Sequence, residues 1–240
     1  VKISDRVENI FSHAVALHQC GRFRNTVYCI DDRVYILNFD RTVLLRFLTG
    51  EKPFAHPVSF EANDYDSSEV VEKDGRVEFI LTDGAESPEY IRTKSCRTPK
   101  YTPEQVMDMF RRLGPPIGGM TVIPREVCKL LDDSLSHIEF SAREGQLTIV
   151  QRNIYTGTMI KVEHKPKGMP LFPVEIDHFG PLGMRTDDFM ALYTFVDKVK
   201  FWFGGKDVVH VESDDLKLDM RGRVSMCVYD ELGGEMQEDK

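Results

Sequence analysis

The chain has 240 residues, 41% hydrophobic and 29% charged, enough for one large or two ordinary globular domains without metal or disulfide staples. Its formal net charge of −8 excludes a protein that coats nucleic acid with its whole surface, and leaves room for a local basic face. No apolar run approaches the ~18 residues of a membrane span, and Val1-Lys2-Ile3-Ser4-Asp5-Arg6 does not read as a signal peptide. The five scattered cysteines (Cys20, Cys29, Cys96, Cys128, Cys227) suit reduced core residues, so a cytoplasmic location is expected, that of the host cell if the protein is viral.

From Ile3 to Gln19, Val7, Ile10, Phe11, Ala14, Val15 and Leu17 recur near the spacing of an amphipathic helix, with Ser4 as N-cap and Gly21 as stop. Strand-like runs follow at Thr26–Ile30, Arg33–Phe39 and Thr42–Leu48, divided by the turn pairs Asp31-Asp32 and Asp40-Arg41. Pro57–Ala62 and Arg76–Leu81 predict two more, the second introduced by Lys73-Asp74-Gly75. Asp64–Val71 is too polar and short to supply a helix. Between Thr82 and Thr102 the pattern weakens into Gly, Ser, Pro and charged residues, which predicts an interdomain connection. Pro103–Leu113 then predicts a short helix closed by Gly114-Pro115-Pro116.

A second series starts at Val122. Pro124–Leu135 predicts a helix with Val127, Cys128, Leu130, Leu131 and Leu135 facing inward. Predicted strands follow at His137–Ala142, Gln146–Arg152, Thr156–Glu163 and Phe172–Asp177. Thr186–Val196 predicts a helix with Asp187 and Asp188 at its positive end. The series closes with strands at Lys198–Phe203, Val208–Glu212, Leu216–Met220 and Arg223–Tyr229 and an acidic tail expected to fray.

The two series share an order of elements: helix, hairpin, strand, a Pro-led strand, then a turn into another hairpin. Val27-Tyr28-Cys29-Ile30 and Val34-Tyr35-Ile36-Leu37 answer to Ile138-Glu139-Phe140 and Leu147-Thr148-Ile149, and Pro57-Val58-Ser59-Phe60-Glu61 answers to Pro173-Val174-Glu175-Ile176-Asp177. The expected fold is α+β: two similar domains of antiparallel sheets with amphipathic helices on one face. Their bounds are 1–100, a shortened first copy, and 122–230, with a connector at 101–121 carrying the short helix and a tail at 231–240. The second copy should hold two helices and about eight strands, whereas the first lacks an evident counterpart of the Thr186–Val196 helix.

The second copy, Val122-Ile123-Pro124-Arg125-Glu126-Val127-Cys128-Lys129-Leu130-Leu131, then Phe189-Met190-Ala191-Leu192-Tyr193, Val199-Lys200-Phe201-Trp202-Phe203 and Val208-Val209-His210-Val211, resembles a domain of the processivity clamps of DNA replication. The two-domain length is most similar to the trimeric clamps of T-even-type bacteriophages. The resemblance implies three subunits joined head to tail in a ring of six domains. Such a ring encircles double-stranded DNA without reading its sequence and tethers a DNA polymerase, with a clamp loader as further partner and no cofactor.

A ring of that kind needs basic residues on its inner helices. The candidates for DNA binding are Arg6 on the first helix, Arg125 and Lys129 four apart on another, and Lys198 and Lys200 after the last; Arg111 and Arg112 lie on the short helix. The resemblance also implies an outer hydrophobic pocket for a partner peptide near the connector, for which Tyr101, Val106 and Phe110 are candidates together with Val228 and Tyr229 in the last strand. Catalytic and metal-binding residues are not expected. The pairs Asp31-Asp32, Asp132-Asp133, Asp187-Asp188 and Asp214-Asp215 fall mostly at turns and helix starts. The histidines show no metal spacing, and Gly204-Gly205-Lys206 lacks the rest of a phosphate loop. Two other readings stand beside the clamp: a viral structural or interaction protein of β-rich build with no DNA role, and a metal-dependent enzyme using the acidic pairs.

Overall fold

A computed structural model describes residues 3–21, 23–39, 41–65, 69–73, 76–81, 92–95, 101–114, 119–135, 137–143, 146–152, 156–164, 178–194, 196–203, 208–214 and 218–223. The chain divides into two units, Val1–Gly114 with Leu216–Leu218, and Pro115–Asp215 with Asp219–Lys240.

In the first unit, α1 (Asp5–Gln19) starts where the Ser4 carbonyl accepts from the Glu8 amide at 3.0 Å. The expected side-chain cap of Ser4 is not made. Gly21, at φ +77°, closes the helix and donates to the His18 carbonyl at 2.8 Å. Strands β1 (Phe23–Ile30), β2 (Arg33–Asn38), β3 (Val43–Leu48) and β4 (Val58–Glu61) form an antiparallel sheet in the order β4-β1-β2-β3. A second sheet runs β5 (Glu69–Lys73), β6 (Arg76–Leu81), β7 (Arg92–Ser95). β5 and β7 are strands that the sequence pattern does not announce, and β7 lies within the stretch expected to be a connection. A 3-10 turn at Ala62–Asp64 follows β4, the place a second helix would take. The connector helix α2 (Pro103–Arg112) has a capping box: the Gln105 amide donates to Thr102 Oγ1 at 3.3 Å, and the Thr102 amide to Gln105 Oε1 at 2.9 Å.

Both faces of the first sheet are covered, which is why β1, β2 and β3 read as nearly unbroken apolar runs. Val27 pairs with Phe60, and on that face Phe60 meets Phe11 of α1 edge-on at 5.2 Å and Phe79 of β6 at 5.6 Å. The alternate residues Tyr28, Ile30, Tyr35, Leu37 and Leu44 pack against Val106 and Phe110 of α2. Burying those two side chains contributes about 1.5–3 kcal/mol each.

In the second unit, β8 (Gly119–Pro124), a 3-10 helix (Arg125–Leu130), β9 (His137–Arg143), β10 (Gln146–Arg152) and β11 (Met159–His164) are followed by β12 (His178–Arg185), α3 (Thr186–Leu192), β13 (Lys198–Phe203), β14 (Val208–Ser213) and β15 (Leu218–Arg223). The order is a strand, a helix and three strands, stated twice. Each opening strand crosses to the other motif's sheet, giving β11-β10-β9-β12 and β15-β14-β13-β8. Phe140, Phe189 and Phe201 meet between the sheets, with ring centroids 4.8–6.3 Å apart. The first unit follows the same plan: α1 precedes β1-β2-β3, and β4 with its 3-10 turn precedes β5-β6-β7 while joining the other sheet.

The expected helix over Pro124–Leu135 is corrected to the single 3-10 segment. Gln151, fully buried on β10, accepts the Asp132 amide at 2.8 Å and donates to the Asp132 carbonyl at 2.9 Å, taking both groups a longer helix would need for its own ladder. Leu130, expected inside, is 60% exposed as a result, and Leu131 is half-buried. α3 is likewise shorter than Thr186–Val196; its end is pinned by Tyr193, whose hydroxyl donates to the Ile123 carbonyl at 2.9 Å. The expected strands Phe172–Asp177 and Arg223–Tyr229 and the tail lie at or beyond the edge of the described residues, whereas β12 was not expected.

Candidate nucleic-acid interface

α1 turns Val7, Ile10, Phe11, Ala14 and Leu17 inward, leaving Asp5, Arg6, Asn9, Ser12 and Gln19 exposed. Arg6 Nη2 donates to the Leu48 carbonyl at 2.7 Å, which fixes the guanidinium at the start of the helix. His13 is half-buried, and desolvation lowers its pKa. Glu8 accepts from the Tyr65 hydroxyl at 2.6 Å. The outward face of α1 is thus nearly neutral, with Arg6 as its one fixed cation among the described residues.

In the second unit, Arg125 and Lys129 fall on the same 3-10 segment, at its two ends. The Arg125 amide donates to the Asp197 carbonyl at 2.7 Å, and its Nη1 approaches Asp197 Oδ1 at 3.3 Å. Part of its charge is therefore offset. Lys129 is exposed beside Leu130, and no described acid pairs with it. Lys198 and Lys200 do not join this group. On β13, Val199 and Phe201 are buried, with Phe201 facing Phe189 of α3, so Lys198 and Lys200 alternate onto the opposite face of the sheet. Lys200 is also tied to Asp214 at 2.8 Å. These two are corrected from the helix side to the outer face, where Trp202 donates to Glu212 at 3.3 Å.

Arg185 was missed. It is exposed at the N-cap of α3, the position in the second motif that answers to the junction of β8 with the 3-10 helix, where Arg125 stands. Only the doubled strand–helix order could have drawn attention to it. Arg111 and Arg112 end α2 exposed, Arg111 near Asp108 at 3.4 Å.

Of the partner candidates, Val106 and Phe110 are buried under α2. Phe110 stands edge-on to Tyr35 at 5.6 Å and beneath the Arg46 guanidinium at 4.5 Å. Tyr101 is half-buried, and its hydroxyl accepts from Arg41 at 2.9 Å. Val228 and Tyr229 lie outside the described residues.

Where they are described, members of the acidic pairs serve turns and exposed ion pairs, such as that of Asp214 with Lys200. Asp31 adopts φ +51° in the β1–β2 turn, and Asp132 Oδ1 accepts the Ser134 amide at 2.9 Å; hydrogen bonding to the Ser134 side chain and then to its amide lowers the Asp132 pKa. Among the described residues, no group of three or more His, Cys, Asp and Glu is placed to hold a metal. Burial pushes the thiol of Cys128 up to about 12 and that of Cys29 higher, so neither is a nucleophile near neutral pH. No described helix is long and apolar enough to cross a membrane.

No protein-family model matches the sequence, and no curated protein matches it. Solved structures do. A DNA polymerase sliding clamp from Pseudomonas aeruginosa aligns over 95% of this chain and 64% of its own, with TM-score 0.59 and 8% identity. The DNA polymerase III subunit beta of the same organism aligns over 85% and 58%, with TM-score 0.53 and 14% identity. A chain of the PCNA2–PCNA3 complex from Sulfolobus tokodaii aligns over 90% and 96%, with TM-score 0.51 and 12% identity. The chain spans about three fifths of the bacterial proteins and nearly the whole of the archaeal one. With its doubled motif and exchanged strands, it has the fold of the DNA polymerase sliding clamps.

Proposed function

We propose that the protein is a DNA sliding clamp, which encircles duplex DNA and tethers a polymerase for processive synthesis. The observation that carries this is the doubled strand–helix–three-strand unit, shared over 85–95% of the chain with solved clamps. The near end-to-end match to the archaeal chain supports a two-unit subunit, of which three would make a ring of six. Arg6, Arg125, Lys129 and Arg185, at the starts or on the faces of the helices, are the cations that would meet phosphate. They carry no base-reading geometry, as sliding requires. A clamp loader is the further partner this topology calls for, since a closed ring has no other entry to DNA without ends.

Sedimentation should give a species of three times the 27.6 kDa chain mass. On primed circular DNA, with loader and polymerase, the protein should lengthen products. A persistent monomer with unchanged product length sinks the proposal. The near-neutral face of α1 favours a second reading, a β-rich interaction protein without a DNA role. That reading expects an oligomer or monomer that never alters product length.

A further inference from the structure

We propose that Asp197 is a phosphate stand-in built into the helix side of the second unit: it occupies Arg125 between DNA contacts and yields it to a passing phosphate, which keeps the hold on the duplex weak. The inference deepens the clamp reading, and rests on that reading for the approach of DNA to Arg125.

The sheet places the two residues against each other. β8 and β13 are antiparallel, with Val199 opposite Ile123 and Lys198 opposite Pro124. Arg125 and Asp197 are the next pair in that register, and the Arg125 amide donates to the Asp197 carbonyl at 2.7 Å. Residues directly opposite in an antiparallel pair send their side chains to the same face. Here that is the helix side, since Asp197 alternates with Lys198 and falls in step with buried Val199 and Phe201. Buried Val196 fixes the chain just before it.

The fold does not require the carboxylate. Any residue at 197 supplies the backbone carbonyl, and the ion pair added to that bond is exposed, with side chains 48% open to solvent for Arg125 and 85% for Asp197. Pairs so exposed add little stability. The contact is single, Nη1 to Oδ1 at 3.3 Å, and lacks the two-pronged geometry of a strong guanidinium–carboxylate pair. It is therefore easily exchanged, and a phosphate diester, which takes a guanidinium by the same geometry, is the ligand that competes for it. The other cations available to DNA are held differently: Arg6 by the neutral Leu48 carbonyl at 2.7 Å, and Lys129 by no described acid. Those two keep their charge, while Arg125 exchanges one anion for another. When it moves to a phosphate, the phosphate sheds a condensed cation and the bared carboxylate beside it gathers one, so this contact adds almost nothing to the salt dependence of binding. The carboxylate also repels the phosphate it has made way for. Each contact is correspondingly short-lived, as a ring that must move on requires.

The test measures binding of the full chain to linear duplex DNA across a salt series. Asp197→Asn keeps the backbone bond and removes the charge. It should bind about threefold tighter at low salt and steepen the log–log salt slope by about 0.9. Asp197→Glu, which restores the charge, should return both readings to those of the unaltered protein. In an Arg125→Ala background the change Asp197→Asn should gain less than half as much, because its effect runs through the guanidinium. Asp214→Asn removes an equal charge from the pair with Lys200 on the opposite face of the sheet, and should move neither reading. Unchanged or weaker binding by Asp197→Asn overturns the inference. So does an equal gain without Arg125, which would make Asp197 a general repeller, or an equal gain from Asp214→Asn, which would make net charge the cause. Any of these results together with longer products on primed circles sinks this inference alone. Absence of duplex binding together with unchanged product length sinks the clamp reading, and this inference with it.

Discussion

His13 shows how burial on α1 sets a pH response. Its folded-state pKa lies below the ordinary value of about 6.5 because the half-buried site disfavours the charged ring. Above that pH the ring is neutral folded or unfolded and adds nothing. As pH falls through about 6.5 the unfolded chain takes the proton first, and stability drops. Thermal melts between pH 8 and 5 should show that drop, smaller in His13→Gln; identical pH profiles would assign it elsewhere. The cations divide the same way, by what already holds them. Lys129 has no described acid at hand, whereas Lys200 is bound to Asp214. In a salt series of binding to linear duplex, Lys129→Ala should reduce the log–log slope by about 0.9 and Lys200→Ala should leave it unchanged. Equal effects would remove the 3-10 segment from the DNA face. Basic residues could be found in the sequence, but their directions could not. Lys198 and Lys200 were turned to the outer face by strand alternation beside buried Val199 and Phe201, and Arg185 gained its place only from the doubled motif.

Among the elements, those with a clean local signal matched it: Arg76–Leu81, Gln146–Arg152 and Lys198–Phe203 alternate plainly and end where expected. The others depend on partners distant in the chain. β12 reads His-Phe-Gly-Pro-Leu-Gly-Met-Arg, poor in strand formers and irregular between Phe179 and Leu182, and it is a strand because β9 lies alongside. β7, Arg-Thr-Lys-Ser, has no apolar rhythm and is held by β6. The Arg125–Leu130 segment carries a helical pattern that Gln151 cuts short. Gln151 also donates to Thr186 Oγ1 at 3.2 Å, which itself donates to the Leu135 carbonyl, joining β10, the loop and the start of α3 in one buried network. Gln151→Ala would remove the partner of both part-buried Asp132 backbone groups and of Thr186 Oγ1. Urea unfolding should show a loss of about 1–3 kcal/mol. A loss near zero would mean that the 3-10 segment is held by other contacts.

For the whole molecule, the two-domain organisation and the α+β class could be read from the repeated order of elements. The finer repeat inside each domain could not, because it is expressed in strand pairing and not in residue type. Association into a ring predicts a melting temperature that climbs with protein concentration, since subunit contacts stabilise only the folded state. A concentration-independent melt over the micromolar range would count against it. For the proposed ring, a net charge of −8 leaves only the few helix-side cations to attract DNA, so added salt should weaken a complex with DNA more than it weakens subunit association.

The exchange of opening strands sets how the chain reaches its native state. In the second unit Pro124 must find Lys198 and His137 must find Arg185 before either sheet is complete. Neither motif can finish alone, for each waits on a strand made by the other. Such distant pairings slow folding, because the entropy of closing long loops is lost before the contacts repay it. The second unit should therefore assemble late and all at once, and a ribosome that pauses before β13 has emerged would hold a half-built sheet with its β8 edge bare.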